Sequence, residues 1–276
     1  MDPNSRRRGT APFLLGSAGL HAGAALALLT MPRNWLGVAA VLLADHLAVV
    51  GAGLWPRSRL LGPNLSRLPA PAARRGEVAL SFDDGPDSVV TPPVLELLDR
   101  HRARATFFCI GRRVDERREL AAEIARRGHL VENHSYSHPG AFACYMAGGL
   151  RRQIRRAQEA IELATGRRPR LFRAPAGLRN FLLEGELRKA GLLLASWNRR
   201  GFDTICREPE KVARRLLTNL AAGDIVLLHD GSAARDARGT PVVLEVLPRL
   251  LDELAARGLR AVPLEAGVRQ VSGHAA

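Results

Sequence analysis

From Glu77 onward the chain alternates short β-rich runs with helical ones, and no other feature constrains the fold as tightly. EVALSF, ATFFCI, HLVEN, LFRAP, LLLASW, DIVLLHD and LRAVPL read as strands, rich in aliphatic and aromatic residues. Between them, PPVLELLDRH, the stretch 115–127 stopped by Gly128, and GLRRQIRRAQEAIELATG read as helices. So do stretches near 181–190, 209–221 and 241–257. Strands joined through helices pair in parallel, with the helices outside. About seven such βα units in roughly 190 residues predict an α/β fold, a (β/α) barrel rather than an open sheet.

The first quarter is different. Residues 11–31 and 34–55 are two apolar stretches, each close to the ~20 residues that cross a bilayer as a helix. His21 is the one strongly polar side chain of the first; Asp45 and His46 lie near the middle of the second. Ionisable groups at such positions face another helix or water. Neither stretch shows an amphipathic stripe, which favours a transmembrane helical hairpin over 1–55 against a buried hairpin of a soluble domain. A cleaved signal is a further alternative: Arg6, Arg7 and Arg8, an apolar run, then Ala25-Leu26-Ala27 have that form. The second stretch would still anchor the product. Residues 56–76, with their prolines, glycines and arginines, read as a linker, and 266–276 as a tail.

The formal charge is +14, carried almost wholly by arginine: Lys189 and Lys211 are the two lysines. No run interleaves arginines with aromatics as single-strand binders do, so nucleic acid is not expected as a partner. Before residue 77 stand nine arginines against Asp2 and Asp45, a distribution suited to anionic headgroups. Arg6, Arg7 and Arg8 precede the first stretch and Arg57, Arg59 and Arg67 follow the second, while the connecting loop holds Arg33. The positive-inside rule then puts both chain ends on the cytoplasmic side of a membrane of bacterial inner-membrane type. Cys109, Cys144 and Cys206 form no CxxC and give no disulfide framework.

The chemistry-bearing residues fall at strand ends. Asp83-Asp84 ends the first strand, His134 and His138 follow the third, and Arg173 lies in the fourth. Asp203 follows LLLASW, and His229-Asp230 ends DIVLLHD. In an α/β barrel the carboxyl ends of the strands form one face, where active sites are built. Asp-Gly-Pro alone is ordinary turn chemistry. Two adjacent carboxylates can instead divide the work, one binding a metal and one remaining free as a base. HSYSH gives two histidines four apart; on a helical turn both imidazoles share a face, as in zinc motifs, though unrelated surface histidines can show the same spacing. One aspartate with two histidines leaves open coordination positions, as a catalytic metal requires.

SFDDGP, HSYSH, FRAPAG, the tryptophan-to-GFDT segment and LLH, in this order, resemble the five motifs of the polysaccharide deacetylase (NodB-homology, carbohydrate esterase family 4-like) family. The resemblance covers about 77–265 and implies a distorted (β/α) barrel that removes an N-acyl group, acetyl above all, from an amino sugar in a glycan. It implies Asp83 as the general base, with Arg173 paired to it. It implies Asp84, His134 and His138 as ligands of one divalent metal, zinc in most members, with cobalt or manganese as alternatives. His229 would be the general acid, hydrogen-bonded by Asp203. Leu227 would line the acyl pocket, and the Ala176 N–H would help to stabilise the oxyanion.

Two positions depart from the family pattern. Ala176 stands where many members carry an aromatic residue, and Thr204 where many carry tryptophan. Both line the sugar site, so the substrate is less defined than the chemistry. Arg199 and Arg200 are surface arginines or face an anionic group, such as the phosphate of a lipid-linked sugar. Two rival functions remain at this level: a non-catalytic carbohydrate-binding or scaffold protein on the same fold, and a phosphoester hydrolase. The second calls for a second metal set, which the motifs lack.

Overall fold

The computed structural model describes residues 10–264; Arg6, Arg7, Arg8 and the expected tail 266–276 lie outside the described residues. Two long helices come first, α1 (Pro12–Thr30) and α2 (Trp35–Leu54), joined by a 3-10 turn at Pro32–Asn34. They lie side by side. Ser17 donates to Asp45 over 2.6 Å, and His21 lies 3.8 Å from the same carboxylate. The polar groups of α2 thus turn toward α1, as ionisable residues in an apolar helix must. The leucines turn outward, and Leu29 is 82% exposed. This hairpin is therefore not buried in a soluble core. Both helices are long and apolar enough to cross a membrane.

The rest is a curled parallel sheet wrapped by helices. After α3 (Ala70–Arg74) come β1 (Glu77–Asp83), α4 (Thr91–Arg100), β2 (Thr106–Cys109), α5 (Gly111–Glu116), α6 (Arg118–Arg126) and β3 (Leu130–Asn133). The chain continues through α7 (Ala147–Thr165), β4 (Leu171–Phe172), α8 (Leu183–Ala190), β5 (Leu193–Leu194) and β6 (Arg199–Arg200). It ends with α9 (Pro209–Leu217), β7 (Ile225–His229), α10 (Val242–Ala256) and β8 (Arg260–Val262). The strand order is β5-β4-β3-β2-β1-β7-β6, with β8 beside β1. Consecutive strands β5 and β6 thus hold opposite edges. The chain from Leu194 to Arg199 reaches at most roughly 19 Å. Six strand spacings in a flat sheet measure about 29 Å. The sheet must curl, and it does so into a distorted (β/α) barrel with a seam between β5 and β6. The distortion also shows at β1: β2 pairs with its upper part, 81–83, and β8 with its lower part, 77–79.

Strand alternation sorts the core. Val78, Leu80 and Phe82 of β1, with Val226 and Leu228 of β7, face the surrounding helices. Ala79, Ile225 and Leu227 face inward, against Phe108, Leu171 and Trp197. Period-two geometry therefore carries Ser81, Asp83 and His229 onto the same inner ladder, at its carboxyl end.

Three local features differ from the sequence reading. The expected helix 115–127 is two helices, α5 and α6, broken at Arg117 (φ −138°, ψ 52°). LLLASW is not one strand: pairing stops at Leu194, where Ala195 bridges to Leu65 outside the sheet, and β6 is an additional two-residue strand. The segment 56–76, linker-like in composition, is packed on the barrel. Buried Asn64 donates to the carbonyls of Pro56 (2.8 Å) and Ser58 (3.0 Å), and Leu68 and Ala72 join the inner core. The hairpin is joined to it closely. The Arg179 N–H donates to the Gly53 carbonyl over 3.1 Å. A Cβ at Gly53 would lie 2.3 Å from the Arg179 oxygen, so only glycine admits this approach.

Candidate active site

Asp83 ends β1 pointing inward, and the largest fully buried side chain of the core, Arg173, reaches it. Arg173 Nη1 donates to Asp83 Oδ1 over 2.6 Å and to Ser81 Oγ over 2.9 Å. Nη2 donates to the Ser196 carbonyl at 3.1 Å, Nε to the Ala195 carbonyl at 3.4 Å, and the guanidinium lies 4.0 Å from the Phe108 ring centroid. A buried charge is tolerated only with this degree of pairing.

Asp84 takes a left-handed φ of 73°, which aspartate accepts more readily than most residues. Arg113 holds the turn: its Nη1 donates to the carbonyls of Asp84 (2.9 Å) and Gly231 (2.7 Å). Ser232 Oγ donates to Asp84 Oδ2. Below the turn lies buried Asp230, its carboxyl pushed up to about 7 by burial, with Thr91 Oγ1 donating to it over 2.5 Å.

His134 and His138 converge on Asp84, but not from a helical turn as the spacing suggested. The 134–138 segment is a loop, with Ser135 and His138 at φ 61° and 47°. Side chains replace the helical hydrogen bonds. Asn133 Oδ1 accepts from Ser135 N–H, and Gln153 Oε1 of α7 accepts from the N–H groups of Tyr136 and Ser137. His134 Nδ1 lies 2.8 Å from the Arg173 carbonyl; a carbonyl only accepts, so Nδ1 carries the proton and leaves Nε2 facing Asp84.

The Nε2 atoms of His134 and His138 stand 3.3 and 3.4 Å from Asp84 Oδ1, which is buried and has no hydrogen-bond donor among the described residues. The three ligand atoms lie within 4.8 Å of one another. Burial pushes the Asp84 carboxyl up, but His134 alongside, with His229 and His138 behind, outweighs it and holds the group well below the usual carboxylate range. Burial pushes His134 down, but Asp83 and Asp84 outweigh it and raise it. His138 is lowered, by burial first and then by His134. An orphaned carboxylate oxygen and two inward lone pairs where positive charge is favoured fit a divalent cation.

His229 is Asp83's register partner on β7, so both project from adjacent strands into the same space. Asp203 grips His229 twice: Oδ1 is 2.9 Å from Nδ1, and Oδ2 accepts the backbone N–H at 2.7 Å. Burial pushes His229 down, but the Asp203 charge and hydrogen bond, then Asp83 and Asp84, outweigh it and raise it. Its Nδ1–H is thereby committed to Asp203, leaving Nε2 for the site.

Ala176 sits in the turn after β4 at φ 54°, and its N–H donates to no acceptor among the described residues. Leu227 is 1% exposed in the inner core, and Thr204 is half-buried one residue beyond Asp203. Sequence reasoning did not single out Arg113 or Ser232. Arg113 is one of many helix arginines, and nothing in its neighbourhood of the sequence marks it; Ser232, three residues after His229, carried a faint positional signal.

The Polysaccharide deacetylase family model matches residues 71–195. A chitooligosaccharide deacetylase of Sinorhizobium fredii is 33% identical over 72% of this chain and 96% of its own length. The chain belongs to the polysaccharide deacetylase family. A peptidoglycan N-acetylglucosamine deacetylase structure superposes with a TM-score of 0.65 at 28% identity, over 74% of this chain and 92% of that one. A variant of a family pseudoenzyme with restored activity superposes at 0.66, with 26% identity over 74% and 71% of the two chains. Polysaccharide deacetylases are in general metal-dependent, and in this member Asp84, His134 and His138 form a site able to hold a metal.

Proposed function

We propose that this chain is a metal-dependent N-deacylase of amino sugars, acting on an acetylated sugar in a polysaccharide or a lipid-linked glycan. The observation that carries the reading is Asp84 Oδ1, buried and unpartnered between two histidine Nε2 atoms. Asp84, His134 and His138 would hold one divalent cation, zinc by preference, with cobalt or manganese able to replace it. The chemistry such a cation supplies when bound is polarisation of the amide carbonyl and acidification of water. Asp83 accepts the proton of the attacking water, and Arg173 fixes the orientation of its carboxylate. The Ala176 N–H faces the developing oxyanion. His229 donates the Nε2 proton to the amide nitrogen as the C–N bond breaks, releasing a carboxylate and a free amine. Asp203 keeps the ring oriented and cationic until that step. Leu227 and Thr204 bound the pocket for the acyl group and sugar.

The described metal-site geometry favours an active enzyme over a non-catalytic relative, because base, acid and all three ligands are present. We further propose that residues 1–55 anchor the chain in a membrane and that 77–265 is the catalytic unit, with 56–76 holding the two together. The arginine distribution favours the cytoplasmic side for that unit, where a lipid-linked precursor would be within reach and finished wall polymer would not. The test is acetate release by the full chain from soluble, wall-derived and lipid-linked N-acetylated sugars, with and without chelator. Metal-loaded protein that releases acetate from none of them defeats the reading.

A further inference from the structure

The two adjacent arginines of β6 have different fates. Arg199 faces away from the barrel interior and is fully engaged: Nε lies 2.6 Å from Asp224 Oδ2, and its other nitrogens donate to the carbonyls of Thr218 and Asn219. Arg200 is the register partner of Leu227, an inward residue, so strand alternation turns it to the inner side. There, among the described residues, it forms no ion pair, and its buried Nε has no hydrogen-bond acceptor. What it touches is aromatic: its Cζ lies 4.8 Å from the Phe202 ring centroid and 5.6 Å from that of Trp197.

Leaving a buried donor unsatisfied costs more than an exposed cation–π contact returns. The cost is increased by a like charge, since Arg173 lies 5.6 Å from the same Trp197 ring. Arg173 has its counter-ion in Asp83; among the described residues Arg200 has none. The surroundings belong to the site. Asp203 follows Phe202 and holds His229, and Leu227 bounds the acyl pocket. Trp197 also packs against Gly177, the neighbour of Ala176: a Cβ at Gly177 would lie 2.6 Å from the indole. A guanidinium with free donors, within cation–π distance of two rings beside the proposed sugar site, has the fork geometry for a carboxylate or a phosphate.

We propose that Arg200 is the anchor of an oxyanion subsite, binding a carboxylate or phosphate carried by the acylated amino sugar or by the residue next to it. This rests on the deacylase reading and narrows its substrate: the glycan is acidic at or beside the sugar that loses its acyl group. Trp197 and Phe202 provide the flat walls that hold the guanidinium, and Arg215, 5.6 Å from the other ring contact at Phe202, adds positive potential at the rim.

Calorimetric binding to the metal-loaded full chain tests it, with three probes: N-acetylglucosamine, N-acetylglucosamine 1-phosphate and N-acetylmuramic acid. The wild-type chain should bind at least one anionic probe ~10-fold or more tightly than the neutral one, and this preference should fall as salt rises. In Arg200→Gln the ratio of anionic to neutral affinity should drop toward one, and Arg200→Lys should keep part of it. Preference for the phosphate probe alone identifies a phosphorylated sugar; preference for the lactyl carboxylate alone identifies an acidic sugar. Equal wild-type affinity for all three probes, or an anionic preference that survives in Arg200→Gln, overturns the subsite. Should Arg200→Gln not fold, Arg200→Met is measured in its place, with the same two outcomes. Acetate release separates the two readings: a chain that prefers anionic probes but hydrolyses no acetylated sugar keeps the subsite and loses the deacylase function.

Discussion

Asp83 and His229 face each other in register across two adjacent parallel strands, β1 and β7. The proposed base and acid are therefore spaced by the hydrogen-bond ladder of the sheet, not by the conformation of a loop. Each is then oriented from behind by one buried partner, Arg173 and Asp203. Rotating either side chain would mean breaking a charged, water-excluded hydrogen bond, and such bonds are about twice as strong as neutral ones.

The first prediction concerns metal content. One divalent cation should bind per chain, chelation should abolish acetate release, and zinc, cobalt or manganese should restore it. Asp84→Asn should lower the metal content of the purified protein toward zero. Elemental analysis checks this, and undiminished metal in Asp84→Asn would remove Asp84 from the ligand set.

Asp83→Asn should separate the two adjacent carboxylates. It should retain the metal while turnover falls by ~10²–10⁴-fold, the usual contribution of a general base. Arg173→Met leaves Asp83 buried without its partner, and breaking such a pair costs about 3–5 kcal/mol of stability. It should lower the unfolding midpoint as well as the rate, which Asp83→Asn should not do to the same degree.

The alkaline limb of the rate profile depends on Asp203. His229 must be protonated to act, so activity is lost as pH rises through its pKa. Asp203 raises that pKa, and Asp203→Asn should therefore move the alkaline limb of the rate profile to lower pH. A limb that stays in place would mean that Asp203 serves only the backbone N–H of residue 229.

A positioning prediction follows from the crowded turn at Asp84. A Cβ at Gly231 would stand 2.2 Å from the Asp84 carbonyl oxygen and 2.3 Å from Arg113 Nη1. Gly231→Ala must displace Arg113 or Asp84, and should weaken metal binding by ~10–100-fold, as loss of groups supporting metal ligands does. Arg113→Ala should act in the same direction through the same carbonyl. Competition against a chelator of known affinity measures both, and unchanged metal affinity in the two variants would show that the Arg113 clamp is not needed.

Topology is tested by reporter fusions after residue 76 and at the carboxyl terminus. Both should be active on the cytoplasmic side. Activity confined to the outer side would bring exported polysaccharide back as the substrate.

The barrel was legible because strand and helix periods differ so plainly after Glu77, and because carboxylates and histidines collect at strand ends. What the sequence concealed was set by tertiary contacts. The β6 strand holds two arginines whose strand state comes only from pairing with Val226 and Leu227. The HSYSH loop imitates a helical spacing, yet Gln153 and Asn133, 15 residues or more beyond and just before it, decide its backbone. The packing of 56–76 depends on Asn64, whose two backbone acceptors lie in its own segment and give no pattern in composition. The family motifs likewise did not reveal which of two neighbouring arginines is already occupied; Asp224, 25 residues from Arg199, settles that.

The joint at Gly53 has a mechanical consequence. A slack tether would let the barrel sweep a volume above its attachment point and sample substrate at many heights. Here the last turn of α2 is hydrogen-bonded to Arg179, two residues from Gly177 and three from Ala176. Pro56 lies against that same Gly177, with no room for a Cβ between them. As the proposed membrane anchor, the hairpin would therefore act as a ruler: the distance from its apolar helices to the pocket is fixed by covalent and hydrogen-bonded geometry, and a glycan would be worked on at one height or not at all.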